Sequence, residues 1–217
     1  EMCIRDSAGR IIDHVIGWAK HNEWRIPEHF KSDWSLDLEC NVDKKDDQFK
    51  PYGATPGHGI EWARLITQWA LSSFANLDGA QPYVDAAEHL FARAVADAWN
   101  VDGAQGLVYT TDWNGMPVVT DRMHWTAAES LNTAATLHAA TGEARYADWY
   151  ATFARYVDEH VIDHEGGSWF HQLDKNNHVI GTVWPGKSDL YHAFQSTLIP
   201  FLDPAVSIAT AVKLSLI

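Results

Sequence analysis

The chain has 217 residues, 46% hydrophobic and 21% charged, which suffices for one substantial core. Its formal charge of -13 argues against nucleic acid or an anionic membrane surface as a partner. No apolar run approaches the roughly 20 residues of a membrane span, and Cys3 and Cys40 give neither a disulfide framework nor a four-ligand zinc set. A reducing cytoplasm is therefore the default setting. The unusual feature is 11 Trp beside 12 His. Trp offers a large flat surface with one donor, which suits a carbohydrate pocket and equally a core between packed helices.

Ile11, Ile12, Val15, Ile16 and Ala19 recur at helical spacing and predict a helix over 8–22. Residues 1–9 are expected to be a non-native or disordered start, because no clear amphipathic pattern precedes that stripe. Arg25-Ile26-Pro27-Glu28-His29-Phe30 breaks the helix, 34–42 reads as a short extended piece, and 43–47 is a solvated charged loop. Residues 50–64 then read as a glycine-rich loop turning into a helix. Thr55 supplies the N-cap and Pro56 the first helical position, where its missing N–H costs nothing. His58 falls in the first turn, where the partial positive end of the helix disfavours a second positive charge. Its imidazole is expected to stay neutral near pH ~7 and to accept a proton. Glu61, three residues on, shares its face.

Trp62, Leu65, Ile66 and Trp69 continue that helix to about residue 75. A third helix is predicted over 82–99, then a hairpin of 107–111 with 117–120 around Asn114-Gly115. The fourth helix starts near Met123 and ends at Gly142 as its C′ glycine, and the fifth covers 144–161. A second hairpin pairs 166–173 with 178–182. A sixth helix opens near Ser188 and Asp189 and ends by Pro200, and a last one runs from 204 to the C-terminus.

Gly106 to Glu129 and Gly167 to Asp189 share one plan, a strand, a turn, a Trp and an acid, at a spacing of about 60 residues. Such a period suits helical hairpins with decorated loops. Stacked hairpins close into a ring whose inner helices line a cup. His58, Glu129 and His192 each lie early in a helix that follows a long loop, so they are expected to converge on the mouth of that cup, with Gln195 on the face of His192. Two neutral imidazoles with carboxylates suit proton abstraction next to a carbonyl. A hydrolytic zinc site is not suggested, since the chain has no H-E-x-x-H. The structural alternatives are plain. His58 and His192 could be buried hydrogen-bonded histidines, Glu129 could pair with a neighbouring charge and Glu61 with Arg64. Gln172, Lys187 and Asp189 could be loop and capping residues.

Trp24-Arg25-Ile26-Pro27-Glu28-His29-Phe30, Phe49-Lys50-Pro51-Tyr52-Gly53, Pro56-Gly57-His58-Gly59-Ile60-Glu61-Trp62-Ala63-Arg64-Leu65, His124-Trp125-Thr126-Ala127-Ala128-Glu129 and the run from Trp184 to Gln195 together resemble the N-acylglucosamine 2-epimerase superfamily. The Lys187-Ser188-Asp189-Leu190-Tyr191-His192-Ala193 segment is most similar to its aldose–ketose isomerase branch, that of mannose and sulfoquinovose isomerases. The resemblance implies an all-α (α/α)6 barrel, here a partial barrel of about seven helices with short hairpins in its loops. Family members are nearly twice as long, so residues 10–217 correspond to a C-terminal portion. A half-barrel would expose inner apolar surface, favour aggregation or a homo-oligomer, and have little activity alone. The implied substrate is a monosaccharide, handled without metal or other cofactor. His58 and His192 match the acid/base pair of the family. Glu61 and Glu129 match acids that bind sugar hydroxyls or orient the histidines, and Trp125, Gln172, Lys187, Asp189 and Gln195 complete the implied substrate contacts. Lys50 stands where the family often has Arg.

Overall fold

The computed structural model describes residues 2–47, 49–74, 76–188, 190–205 and 207–216, with the side chains of 2, 3 and 77 excepted. Seven α-helices are found among them: α1 (Met2–His21), α2 (Pro56–Ser73), α3 (Leu77–Ala98), α4 (His124–Thr141), α5 (Ala144–Tyr156), α6 (Leu190–Ser196) and α7 (Ile208–Ser215). Short strands decorate the loops: β1 (Thr110–Thr111), β2 (Pro117–Val119), β3 (Arg122–Met123), β4 (Gln172–Leu173) and β5 (Val179–Ile180). Among the described residues no helix is long and apolar enough to cross a membrane.

Helix α4 is the axis of the molecule. It packs between α2 and α6, while α3 backs α2 and α5 backs α4. A helix with neighbours on several sides is buried nearly all round, and α4 buries Ala127, Ala128, Glu129, Ser130, Leu131, Asn132, Thr133 and Ala134 in sequence. Several of its hydroxyls bond locally or across the helix pair. Ser130 Oγ donates to the Thr126 carbonyl at 2.7 Å, and Thr133 Oγ1 donates to the Ile60 carbonyl of α2 at 2.8 Å. The outer layer is aromatic: Phe91 and Trp99 meet Tyr146, Phe153 and Tyr156 at edge-on angles. Gly142, with φ of +70°, ends α4 in the left-handed turn expected of it.

The loops that lead into α2 and α4 are tied into the strands. Ala54 bridges Thr111 of β1 just before α2. Just before α4, β3 pairs with β4 in the register Arg122 to Leu173 and Met123 to Gln172, and β5 completes that sheet. Both hairpins form around the predicted turns. The pairing of β3 with β4 was not foreseen, because a two-residue strand carries no alternation to read.

Several boundaries differ from expectation. Helix α1 begins at Met2, so residues 2–9 lie within its first turns. Helix α3 begins five residues before Pro82, where Asn76 Oδ1 caps the Gly79 N–H at 3.1 Å. The lost Pro82 donor then costs one bond near the N-terminus and the helix tolerates it. Residues 34–42 form turns, with one bridge from Phe30 to Leu36, and no extended strand. The predicted fifth helix changes at Val157 into a π-turn ending at Val161. Helix α6 stops at Ser196, followed by a 3-10 turn at Ile199–Phe201, and α7 starts at Ile208 after the Ser207 cap.

Candidate active site

His58 stands in the first turn of α2, with Nδ1 donating to Glu28 Oε1 at 2.7 Å. Glu28 comes from the segment after α1. That segment is fixed by buried Arg25, which donates to both oxygens of Asp97 at 2.7 and 3.1 Å. Thr55 does not cap α2 with its side chain. Its hydroxyl turns instead to Glu28 Oε2 at 3.4 Å.

His192, in α6, repeats the arrangement with a different acid. Its Nδ1 donates to Glu129 Oε1 at 3.0 Å. Glu129 is 0% exposed, and its other oxygen accepts from Arg64 Nε at 2.7 Å. Arg64 lies on α2, two turns after His58, so one buried guanidinium connects the helices of the two histidines through α4. A second Arg64 nitrogen donates to Gln68 at 3.1 Å, and Glu61 lies 3.8 Å from the guanidinium. The Trp125 indole contacts both imidazoles, with ring centroids 4.9 Å from His58 and 5.8 Å from His192.

The electrostatics correct one expectation. Burial and the helix N-terminus favour a neutral His58. The hydrogen bond and charge of Glu28, helped by Glu61, outweigh burial, and the His58 pKa is raised above the ordinary histidine value. Glu129 is pushed up by burial but held below the usual carboxylate range by the His192 hydrogen bond and by Arg64. Glu61 is raised by burial and then by the charge of Glu129.

Of the residues anticipated from sequence, His58, Glu61, Trp125, Glu129 and His192 come together here. Gln195 lies on α6 one turn beyond His192 and lines a groove with Arg64, Gln68 and Tyr191. Gln172 is 0% exposed and its amide holds the loop before α6: Nε2 donates to Asp121 at 2.6 Å and to Thr182 at 3.0 Å, and Oε1 accepts from the Val183 and Trp184 N–H groups. Lys187 pairs with Asp163 and lies over the Phe170 ring at 4.5 Å. Asp189 lies outside the described residues. Glu28, Arg64, His124 and His171 were not anticipated in roles here. His124, buried at the start of α4, has its ring 4.6 Å from His171 and 6.1 Å from His192. His171 in turn stacks on Trp184 at 5.7 Å. Glu28 had a signal, its place in an unusual Pro-Glu-His run, but its pairing with His58 depends on a contact across 30 residues.

With Nδ1 of each ring donating to a carboxylate, a neutral imidazole carries its lone pair on Nε2. Two such groups in contact with one aromatic ring can give and take protons at adjacent atoms of one small molecule. The groove of about 710 Å³ between α1, α2, α6 and α7 is a separate feature, since His58, Glu129 and His192 do not line it.

Residues 1–196 match the N-acylglucosamine 2-epimerase (GlcNAc 2-epimerase) family. Among curated relatives, a D-mannose isomerase of Pseudomonas cannabina pv. alisalensis is 44% identical over 208 residues, 95% of this chain and 50% of the relative. A D-mannose isomerase of Thermobifida fusca is 43% identical over 194 residues, 89% of this chain and 47% of the relative. The chain thus spans about half the length of the curated relatives it matches. A crystal structure of D-mannose isomerase superposes with a TM-score of 0.81 at 27% identity, covering 90% of this chain and 49% of that one. A cellobiose 2-epimerase from Spirochaeta thermophila DSM 6192 shares the fold, with a TM-score of 0.67 at 20% identity over 92% of this chain and 46% of its own.

Proposed function

Since the chain belongs to the N-acylglucosamine 2-epimerase family, we propose that it forms the acid/base portion of an aldose–ketose isomerase site for mannose-like aldoses. The observation that carries this reading is the pair of imidazoles in contact with Trp125, each held through Nδ1 by its own carboxylate. The similarity to D-mannose isomerases supports the substrate class. A reducing cytoplasm fits the two cysteines.

In the proposed reaction the ring-opened aldose presents C1 and C2 to the two histidines. One neutral imidazole takes the proton from C2, the C–H electron pair becomes the C1–C2 double bond, and the C1–O1 π pair moves onto O1, giving an enediolate. The other imidazole, protonated, gives its proton to O1. The first imidazole then returns its proton to C1 while the second, now neutral, takes the O2 proton, which leaves the carbonyl at C2 and yields the ketose. The asymmetry of the pair bears on who does what. The carboxylate of Glu129 is already shared with Arg64, whereas Glu28 serves His58 with weaker competition from Thr55. We assign His58 the protonated role and His192 the role of base. Trp125 offers the sugar an apolar face, and Glu61, beside His58, can hydrogen-bond a sugar hydroxyl.

The test is proton NMR of mannose incubated with the protein. Appearance of fructose supports the isomerase, whereas a second aldose points to 2-epimerisation with reprotonation at C2. Saturable binding of mannose without turnover would make it a sugar-binding fragment. His58→Asn and His192→Asn should each lower the rate on the order of 10²-fold or more.

A further inference from the structure

We infer that Glu28 is the positioning residue of His58: it holds the ring through Nδ1 and so fixes both its orientation against Trp125 and the tautomer with its lone pair on Nε2. The inference rests on the reading of His58 as an acid/base group. Glu28 is placed for this from outside α2. Arg25 and Asp97 anchor the segment on one side of it. On the other side His29 Nε2 donates to the Pro51 carbonyl at 2.9 Å. Ile26 and Pro27 are buried between these anchors. The carboxylate therefore arrives on backbone that is held at both ends. Thr55, buried immediately before α2, uses its hydroxyl on the second Glu28 oxygen in place of a helix cap.

The groups that face His58 come from several elements. Glu61 is on its own helix, Trp125 approaches from α4, and Tyr109, from the segment before β1, is close enough to Glu28 for its phenol to be raised after burial by that charge. Beyond Trp125 lie His192, Glu129 and Arg64, which are hydrogen-bonded to one another through Glu129. Glu28 is the group that hydrogen-bonds the ring. Its bond and charge, with help from Glu61, keep the His58 proton above the ordinary range despite burial.

The experiment is a pH titration of the chain labelled with ¹⁵N-histidine, followed by long-range proton–nitrogen correlation, with the His58 signals identified by their loss in His58→Gln. The expected result is a raised His58 pKa and, above it, an Nδ1–H tautomer. Glu28→Gln keeps an acceptor of the same length, so the tautomer should persist while the pKa falls by about one unit, a tenfold weaker proton affinity. Glu28→Asp should recover part of the shift, and Glu28→Ala should lose both shift and tautomer preference. An unchanged His58 titration in both Glu28→Gln and Glu28→Ala overturns the inference. If residual mannose isomerisation is unchanged in His58→Asn while the titrations behave as described, the acid/base reading of His58 fails and the positioning role stands.

Discussion

Glu129 is a fully buried carboxylate that serves His192 and Arg64 at once. Removing one member of such a group leaves the others buried without compensation, which typically costs about 3–5 kcal/mol. Glu129→Ala is expected to lower stability by that order in urea unfolding, and Glu129→Gln by less. The two acid–histidine pairs should also differ in pH dependence. The folded pKa of Glu129 is depressed, so its stabilisation is complete above the ordinary carboxylate range and is lost as pH falls through the depressed value. The folded pKa of His58 is raised, so its pair stabilises fully below the ordinary histidine value and loses that contribution as pH rises through the raised value. Unfolding series at several pH values should therefore converge with Glu129→Gln at the acid end and with Glu28→Gln at the alkaline end. Gln172 makes a local prediction. Gln172→Ala removes the acceptor of the Val183 and Trp184 N–H groups, at about 1 kcal/mol, and should speed their hydrogen exchange.

At the scale of elements, the close pairing of α2 and α4 decides the site. Gly57 is where they nearly touch: a Cβ there would lie 2.6 Å from Thr126 Cγ2 and 2.7 Å from the Trp125 ring. Gly57→Ala is expected to cost about 1–3 kcal/mol through overpacking. It should also move Trp125 relative to His58, visible as a changed near-ultraviolet dichroism and lower turnover. The hairpins were legible because Asn114-Gly115 and Lys175-Asn176-Asn177 carry turn chemistry. The start of α3 was not, because Pro82 resembles a first helical residue and the true cap, Asn76, sits before a weak apolar stripe. The π-turn after Tyr156 had no signature in the pattern of residue types.

Across the whole molecule, many large apolar side chains are exposed. Ile4 and Ile11 of α1, Leu65 of α2, Leu190 and Phe194 of α6, Phe201, and Leu214 of α7 are all well exposed. Several border the 710 Å³ groove, which is itself lined by apolar faces of α1, α2 and α7. A surface of this kind favours association. The chain is expected to bind anilinonaphthalene sulfonate and to sediment as larger species with rising concentration. Phe194→Ser with Phe201→Ser should reduce both effects, with stability changed by no more than about 0.5 kcal/mol at such exposed positions.

The sequence by itself determined the helices, since apolar periodicity and capping residues act within a few turns. It also determined which residue types could move protons, and it carried the motifs of the family. Only the tertiary structure decided how those residues are paired. Glu28 reaches His58 across 30 residues, and Arg64 and His192 meet Glu129 across 65 and 63. Those contacts turn a histidine expected to be neutral into one with raised proton affinity. Local patterning could not supply them, because a pKa depends on which charges lie within a few ångströms, and that is fixed by how the helices pack.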